Sequence, residues 1–280
     1  MMKLHNHSLR ELYSPEGSSL RTVQLEMLEM LKVLAEILDN NNIQWWLSSG
    51  TLLGAARHQG FIPWDDDMDI VMLRKDYKRF VRIMKEYDSK EYVFHSMDSD
   101  VEYVNTFGKF RKRSGDIHSK NKRNKYYKWR GVGIDVFSIE KTNYAAARIA
   151  SVVYNNLQHP TVYIRTAWLR NLSARLVELL CLGLVNPLLR IVGLINPRKE
   201  YHYSLGIGWA KSTFYERDIF PLTTARFEDT DMPVPNDTAA YLTKVYGEWR
   251  DVPTDKAIMD SIHCREYKDE IIARRSGGKQ

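Results

Sequence analysis

Four aspartates fall within five residues, Asp65, Asp66, Asp67 and Asp69, and an apolar run, Ile70-Val71-Met72-Leu73, follows them. On a strand, side chains alternate with a period of two, so Asp67 and Asp69 share one face while Met68 and Ile70 share the other. Two carboxylates held side by side raise each other's pKa unless a cation lies between them. Oxygen ligands with no Cys or His nearby favour Mg²⁺ or Mn²⁺ over zinc. An isolated Asp-x-Asp is more often an acidic turn ahead of a strand. Here a further carboxylate follows, because Asp135 in Gly133-Ile134-Asp135-Val136-Phe137 has the same β-rich setting and is a plausible third ligand. A general base is then expected from Asp65 or Asp66. Strand parity puts Asp65 on the face of Asp67 and Asp69, provided that Pro63-Trp64 does not make a turn there.

These carboxylates need a scaffold, and the preceding residues suggest one. Gln44-Trp45-Trp46-Leu47-Ser48 reads as a strand, and Ser49-Gly50-Thr51 turns it into a short helix carrying Leu52, Leu53, Ala55 and Ala56. A small-residue turn at a helix N-terminus presents unpaired N–H groups and the positive end of the dipole to a phosphate. Strand, glycine turn, helix, Asp-x-Asp strand and a distant third Asp outline an α/β (α+β) polymerase-beta-like nucleotidyltransferase fold, with a mixed sheet and added helices.

The block from Gly50 to His58, with Gly60-Phe61-Ile62-Pro63-Trp64-Asp65-Asp66-Asp67-Met68-Asp69-Ile70 after it, resembles the signature of the LicD family of phosphotransferases. Ile134-Asp135-Val136-Phe137 resembles its second motif. Tyr241-Leu242-Thr243-Lys244-Val245-Tyr246-Gly247, with Pro253 and His263, resembles its C-terminal one. The resemblance implies transfer of a phosphorylated alcohol, such as phosphocholine or an alditol phosphate, from a CDP-linked donor to a glycan or lipid-linked glycan hydroxyl. It also implies a basic pair, here Lys109 and Arg111, reaching the donor phosphates alongside Ser49, Gly50, Thr51 and Arg57. Trp64 and His263 are further candidates, the first for packing or stacking and the second for closing the site. Two departures bear on donor preference: the family's Gly-Gly-Thr is Ser49-Gly50-Thr51, and its Asp-Ile-Phe-Pro-Leu-Asp is Asp135-Val136-Phe137-Ser138-Ile139-Glu140. Two other readings stay open, a nucleotidyltransferase that releases pyrophosphate and a non-catalytic glycan- or membrane-binding module.

At 280 residues and 44% hydrophobic content the chain is sized for one catalytic unit. We expect a core over 20–140, a helical elaboration over 141–200 and a C-terminal part, 201–280, that completes the site. Cys181 and Cys264 lack metal or redox spacing, which predicts reduced thiols, and the N-terminus has no apolar signal region. Net charge is +6, but ten Lys or Arg and one acid, Asp116, fall between Lys109 and Arg130, leaving the rest of the chain acidic. Residues 112–130 carry neither helical nor strand periodicity and read as a long loop, either a solvated connection or an electropositive rim for an anionic substrate. Nucleic acid, with Tyr126, Tyr127 and Trp129 as stacking surfaces, is the weakest reading for one basic cluster.

Elsewhere the patterning is that of scaffold. Residues 20–38 and 76–87 have helical apolar spacing, and 103–111 reads as a strand with Lys109 and Arg111 on one face. His58, His95 and His118 show no ligand spacing. Residues 177–195 are mostly apolar, interrupted by Glu178, Arg190 and a central Asn186-Pro187. Proline predicts two short helices there, folded into the core or laid on a membrane surface. The expectation is a cytoplasmic enzyme, peripheral on the inner face of a membrane.

Overall fold

The computed structural model describes residues 2–117, 122–207 and 212–277, with side chains from residue 8 to 276. Two helices, α1 (Met2–Tyr13) and α2 (Ser19–Asn40), lead into β1 (Trp45–Leu47), α3 (Ser49–His58), β2 (Asp69–Leu73) and α4 (Arg74–Glu86). Strands β3 (Tyr92–His95), β4 (Gly108–Lys112) and β5 (Gly133–Lys141) follow. A helical segment comes next: α5 (Tyr144–Gln158), α6 (Ala167–Glu178), a π-helical turn (Leu179–Val185) and α7 (Asn186–Gly193). The C-terminal part holds β6 (Glu200–Tyr203), β7 (Phe214–Tyr215), α8 (Glu216–Ile219), the hairpin β8 (Thr223–Phe227) and β9 (Thr230–Val234), then α9 (Thr238–Tyr246), α10 (Asp255–Ser261) and α11 (Arg265–Gly277).

The main sheet is mixed, as the sequence predicts, in the order β1-β2-β5-β4-β3. Only β2 and β5 run parallel; β1 lies antiparallel on β2, and β4 on β5. Past β4, the far end of β5 pairs with β6, so this one long strand joins the N-terminal and C-terminal parts of the chain. Its side chains from Ile134 to Ile139 are all buried, as a strand with neighbours on both edges and both faces covered requires. Helix α2 supplies one cover. Its Ser18 accepts from the Arg21 N–H as N-cap, and Leu20, Met27, Leu31, Leu34 and Leu38 form the apolar face the spacing predicts, packed in one core with the sheet residues Ile70, Val136 and Phe137.

Three expectations need correction. The predicted strand over 103–111 begins only at Gly108, because 101–107 is a turn that carries the buried Tyr103. The described residues of 112–130 form the expected loop, with one short helical turn, but not a wholly solvated one: Arg123 and Tyr127 are buried, and Arg123 donates to the Glu102 carbonyl at 2.7 Å and to Thr161 Oγ1 at 2.8 Å. His118 and Lys120 lie outside the described residues. Lastly, Pro187 does not end a helix. A continuous helical stretch runs from Ala167 to Gly193. The π-turn just before the proline shifts the hydrogen-bond register there, so the missing N–H and ring clash are accommodated without a break.

Sequence-distant segments converge on Glu228. Its carboxylate accepts from Arg21 Nη2 at 2.8 Å, Arg10 Nη2 at 2.9 Å and the Phe61 N–H at 3.1 Å. Burial pushes this carboxyl up, but the Arg21 hydrogen bonds and the charges of Arg10 and Arg21 outweigh it and hold it below its ordinary range. A depressed carboxyl stabilises the fold above the unfolded value and loses that contribution as pH falls through the lower folded one. Glu228→Ala strands Arg21 in the interior and should cost about 3–5 kcal/mol in denaturant unfolding at neutral pH. The difference from wild type should shrink below about pH 4.

Candidate active site

Parallel pairing of β2 with β5 places Asp69 directly opposite Asp135. Backbone bonds lock the register: the Asp135 N–H donates to the Met68 carbonyl at 2.8 Å, and the Ser48 N–H to the Asp69 carbonyl at 3.1 Å. Both carboxylate residues are largely buried. Asp67 precedes the strand and its side chain is 43% exposed, which leaves it at the mouth of the cluster. The strand begins at Asp69 and a turn occupies 63–64, so the strand-parity argument does not extend to Asp65. Asp65 reaches the cluster by another route. The Gln24 amide clamps its turn, donating to the Ile62 and Asp65 carbonyls, and the Asp65 carboxylate lies against Gly50, where an added Cβ would meet Oδ2 at 2.5 Å.

The electrostatics follow from crowding. Burial raises the Asp69 carboxyl well above its ordinary range, and the charges of Asp67 and Asp135 push it further up, against Lys109 and a hydrogen bond from Ser49. Asp65 is also raised well above the ordinary range, by burial first and then by Asp67, with which it shares a hydrogen bond. Asp67 is raised by burial, with His263 opposing. Lys109, opposite Asp135 across the β4–β5 ladder, forms an ion pair with Asp135 Oδ1. Among the described residues no three His, Cys, Asp or Glu side chains close into a metal cage. What the site offers is four crowded carboxylates with one adjacent ammonium. That donor set fits a hard divalent cation held by few protein oxygens, its other positions left to water and phosphate.

The helix start is built around the same cluster. Ser49 takes φ +47°, a left-handed backbone, and this explains why glycine is usual there. The buried Thr51 hydroxyl accepts the Asp69 N–H at 2.8 Å and fixes the strand to the helix. Ser48 Oγ lies 3.2 Å from the Tyr241 hydroxyl, joining α3 to α9.

Other predicted residues hold the scaffold. Arg57 donates to the carbonyls of Trp249 and Asp251, both at 2.9 Å, and so ties α3 to the C-terminal part. Arg111 is buried and donates to the Trp129 and Gly131 carbonyls, which places its guanidinium on the loop ahead of β5. Trp64 packs edge-on against Tyr13 and His58 and is buried, so it is a packing residue. Tyr127 packs with His95 and Tyr103, and Arg170 lies 3.6 Å over Tyr126; the proposed stacking surfaces for nucleic acid are occupied by the protein itself.

Asp66 points away from the cluster. Its Oδ2 accepts the Cys264 N–H at 2.6 Å and its Oδ1 the His263 N–H at 3.1 Å, with His263 Nδ1 also 3.1 Å away and 3.5 Å from Asp67 Oδ2. Asp66 is therefore an anchor for the C-terminal segment, with His263 poised at the mouth. Tyr246, inside the C-terminal motif but unassigned by sequence reasoning, is 44% exposed; partial desolvation, then the Asp69 and Asp65 charges, push its phenol up, which places it near the cluster. Cys181 and Cys264 are both unpaired, as expected.

The two neighbouring aspartates should therefore respond oppositely to neutral substitution. Asp66→Ala leaves two backbone N–H groups without their acceptor and should cost about 1.5–3 kcal/mol. Asp69→Asn removes a crowded charge and should leave the metal-free protein as stable or more stable at neutral pH. A raised folded pKa means the native state binds more protons, so wild-type stability should fall as pH rises from about 4 through the raised values. Asp69→Asn should flatten that slope in thermal melts.

Residues 42–180 match the LicD/FKTN/FKRP nucleotidyltransferase domain. The lipopolysaccharide cholinephosphotransferase LicD of Haemophilus influenzae is 26% identical over 260 residues, covering 85% of this chain and 94% of that one. An uncharacterized Rickettsia prowazekii protein is 36% identical over 103 residues, 36% of each chain. The human ribitol 5-phosphate transferase FKRP is 40% identical over 48 residues, 17% of this chain and 10% of that one. The chain thus spans about a third of the rickettsial relative and a tenth of the human one, but nearly all of the Haemophilus protein. The matched span runs from the β1 strand through Asp69 and Asp135, two residues of the carboxylate cluster, and on that basis residues 42–180 are a LicD-family nucleotidyltransferase domain.

Proposed function

We propose that this protein is a phosphotransferase that moves a phosphorylated alcohol from a CDP-linked donor to a hydroxyl of a glycan or lipid-linked glycan, releasing CMP. The observation that carries the reading is the Asp69–Asp135 pairing on adjacent parallel strands, with Asp67 and Asp65 crowded beside it. The Haemophilus relative's name supports transfer to a cell-surface glycan.

Asp67, Asp69 and Asp135 would hold Mg²⁺ or Mn²⁺, and the cation would neutralise the donor diphosphate and the departing CMP. Lys109, beside Asp135, is the protein's own cation for the same phosphates. The N-terminus of α3 at Ser49 and Gly50 adds its dipole from the side of Asp69 and Asp65. Asp65 is the base for the acceptor proton: Asp66 is committed to residues 263 and 264, whereas Asp65, raised by burial and by Asp67, would be free to accept a proton once a cation bound at Asp67 has released to solvent the proton held between the two carboxyls. In-line attack of the acceptor oxygen on the distal phosphorus then breaks the bond to CMP.

A panel of CDP-alcohols with Mg²⁺, scored for CMP with and without cell-surface glycan, tests the reading. Pyrophosphate from a nucleoside triphosphate plus an alcohol phosphate would instead make it a nucleotidyltransferase. Asp69→Asn should lower kcat on the order of 10²–10³-fold while the melting temperature holds. Cation affinity, measured by titration calorimetry, should weaken as pH falls from neutral toward the ordinary carboxylate range of about pH 4, because the raised carboxyls must lose protons to bind it. An affinity that stays constant over that whole descent would remove the carboxylate cluster as the binding site.

A further inference from the structure

The stretch from Ala167 to Gly193 is inside out for a soluble protein. It is 27 residues long and apolar enough to cross a membrane by length and composition, yet most of it faces solvent. Trp168, Leu172, Leu176 and Leu179 follow one another at single-turn spacing, Leu188 and Ile191 do the same after the π-turn, and all are exposed, Leu179 by 70%. Leu194 and Ile195 continue the stripe at 81% and 74%. Its four charged residues point the other way. Arg170 pairs with Glu102 at 2.6 Å and Arg190 with Glu140 at 3.0 Å, while Arg175 pairs with Glu178 and donates to the Met97 carbonyl at 2.7 Å. Asn186, beside Pro187, is buried and donates to the Leu205 carbonyl at 3.0 Å. The polar side of this helix is thus fastened to the protein, and the apolar side is left uncovered.

We propose that this face docks on an anionic lipid surface, with the helix lying in the plane of the membrane. Charge selects the occupant. Residues 144–199 hold seven Arg or Lys against one acid, Glu178. Arg148 on α5, Arg165 just ahead of α6 and Lys199 just after α7 are exposed, as is Arg198, which pairs with Glu200 at 3.7 Å, and the Tyr163 and Trp168 rings lie near the start of the stretch. Apolar centre, aromatic end and basic margin match a bilayer's hydrocarbon, interface and anionic head groups. A second copy fits less well, because a twofold interface would set this basic margin against itself. Spanning is disfavoured by the same geometry, since it would pull Arg170, Arg190 and Asn186 from their partners into hydrocarbon.

Vesicle flotation of the purified full chain tests this. Wild type should float with phosphatidylcholine/phosphatidylglycerol vesicles and much less with phosphatidylcholine alone, and added salt should weaken it. Leu179→Glu/Leu188→Glu alters only exposed positions; it should keep the melting temperature and lose about tenfold or more in vesicle partitioning. Arg148→Glu/Arg165→Glu/Lys199→Glu should abolish the preference for anionic vesicles. Three results would overturn the proposal: no flotation of wild type with either vesicle, a stable dimer on size-exclusion chromatography that Leu179→Glu/Leu188→Glu splits, or membrane attachment that resists alkaline carbonate and needs detergent.

Discussion

Everything at the candidate site depends on one constraint: two carboxylates, Asp69 and Asp135, are fixed side by side by a backbone ladder that cannot relax without unpairing β2 from β5. Side chains on flexible loops would swing apart to lower their repulsion. Here the strands are buried on both faces and the register is held by main-chain bonds, so the repulsion persists in the native state. The surrounding architecture is the response to it. Lys109 stands across from Asp135, the Ser49 hydroxyl reaches Asp69, and the Thr51 hydroxyl holds the strand from the helix side. The stored repulsion is also what a bound cation would relieve.

The second structural theme is attachment from a distance. Residues that close the site come from the last part of the chain: Tyr241 against Ser48, the 249–251 carbonyls on Arg57, and residues 263–264 on Asp66. Glu228 performs the same task from β8 and β9, joining α1, α2 and the turn after α3. Arg57 and Asp66, both in the signature block, grip backbone far away in sequence, and Glu228 is gripped by the arginines of α1 and α2. Motif residues therefore also serve to assemble the site from distant segments.

That division marks where sequence reasoning succeeds and where it stops. Asp69 and Asp135 were legible because each sits in an apolar, β-rich run, a local property, and so were α2, α3 and the mixed sheet; the alternation expected of Asp67 and Asp69 was not met, since β2 begins only at Asp69. The roles of Arg57, Asp66 and Arg111 were not legible, since each depends on which carbonyl or N–H the tertiary fold brings within 3 Å. The same holds for Arg123 and Tyr127: a basic stretch without periodicity looked like open loop, and only long-range contacts with Glu102, Thr161 and His95 bury it. Pro187 misled for a subtler reason, because its effect on a helix depends on whether the preceding turn can change register.

The grip of Asp66 on residues 263 and 264 orders events during synthesis. The four aspartates of the cluster's first segment and Asp135 leave the ribosome well before the chain that fastens them, since Asp66 is separated from its partner by 198 residues. A nascent chain can form β1, β2 and β5 while the mouth of the site still lacks His263 and its flanking backbone. The carboxylates are thus synthesised before the C-terminal clasp that closes over them, and completion of the candidate site waits on the last part of the chain.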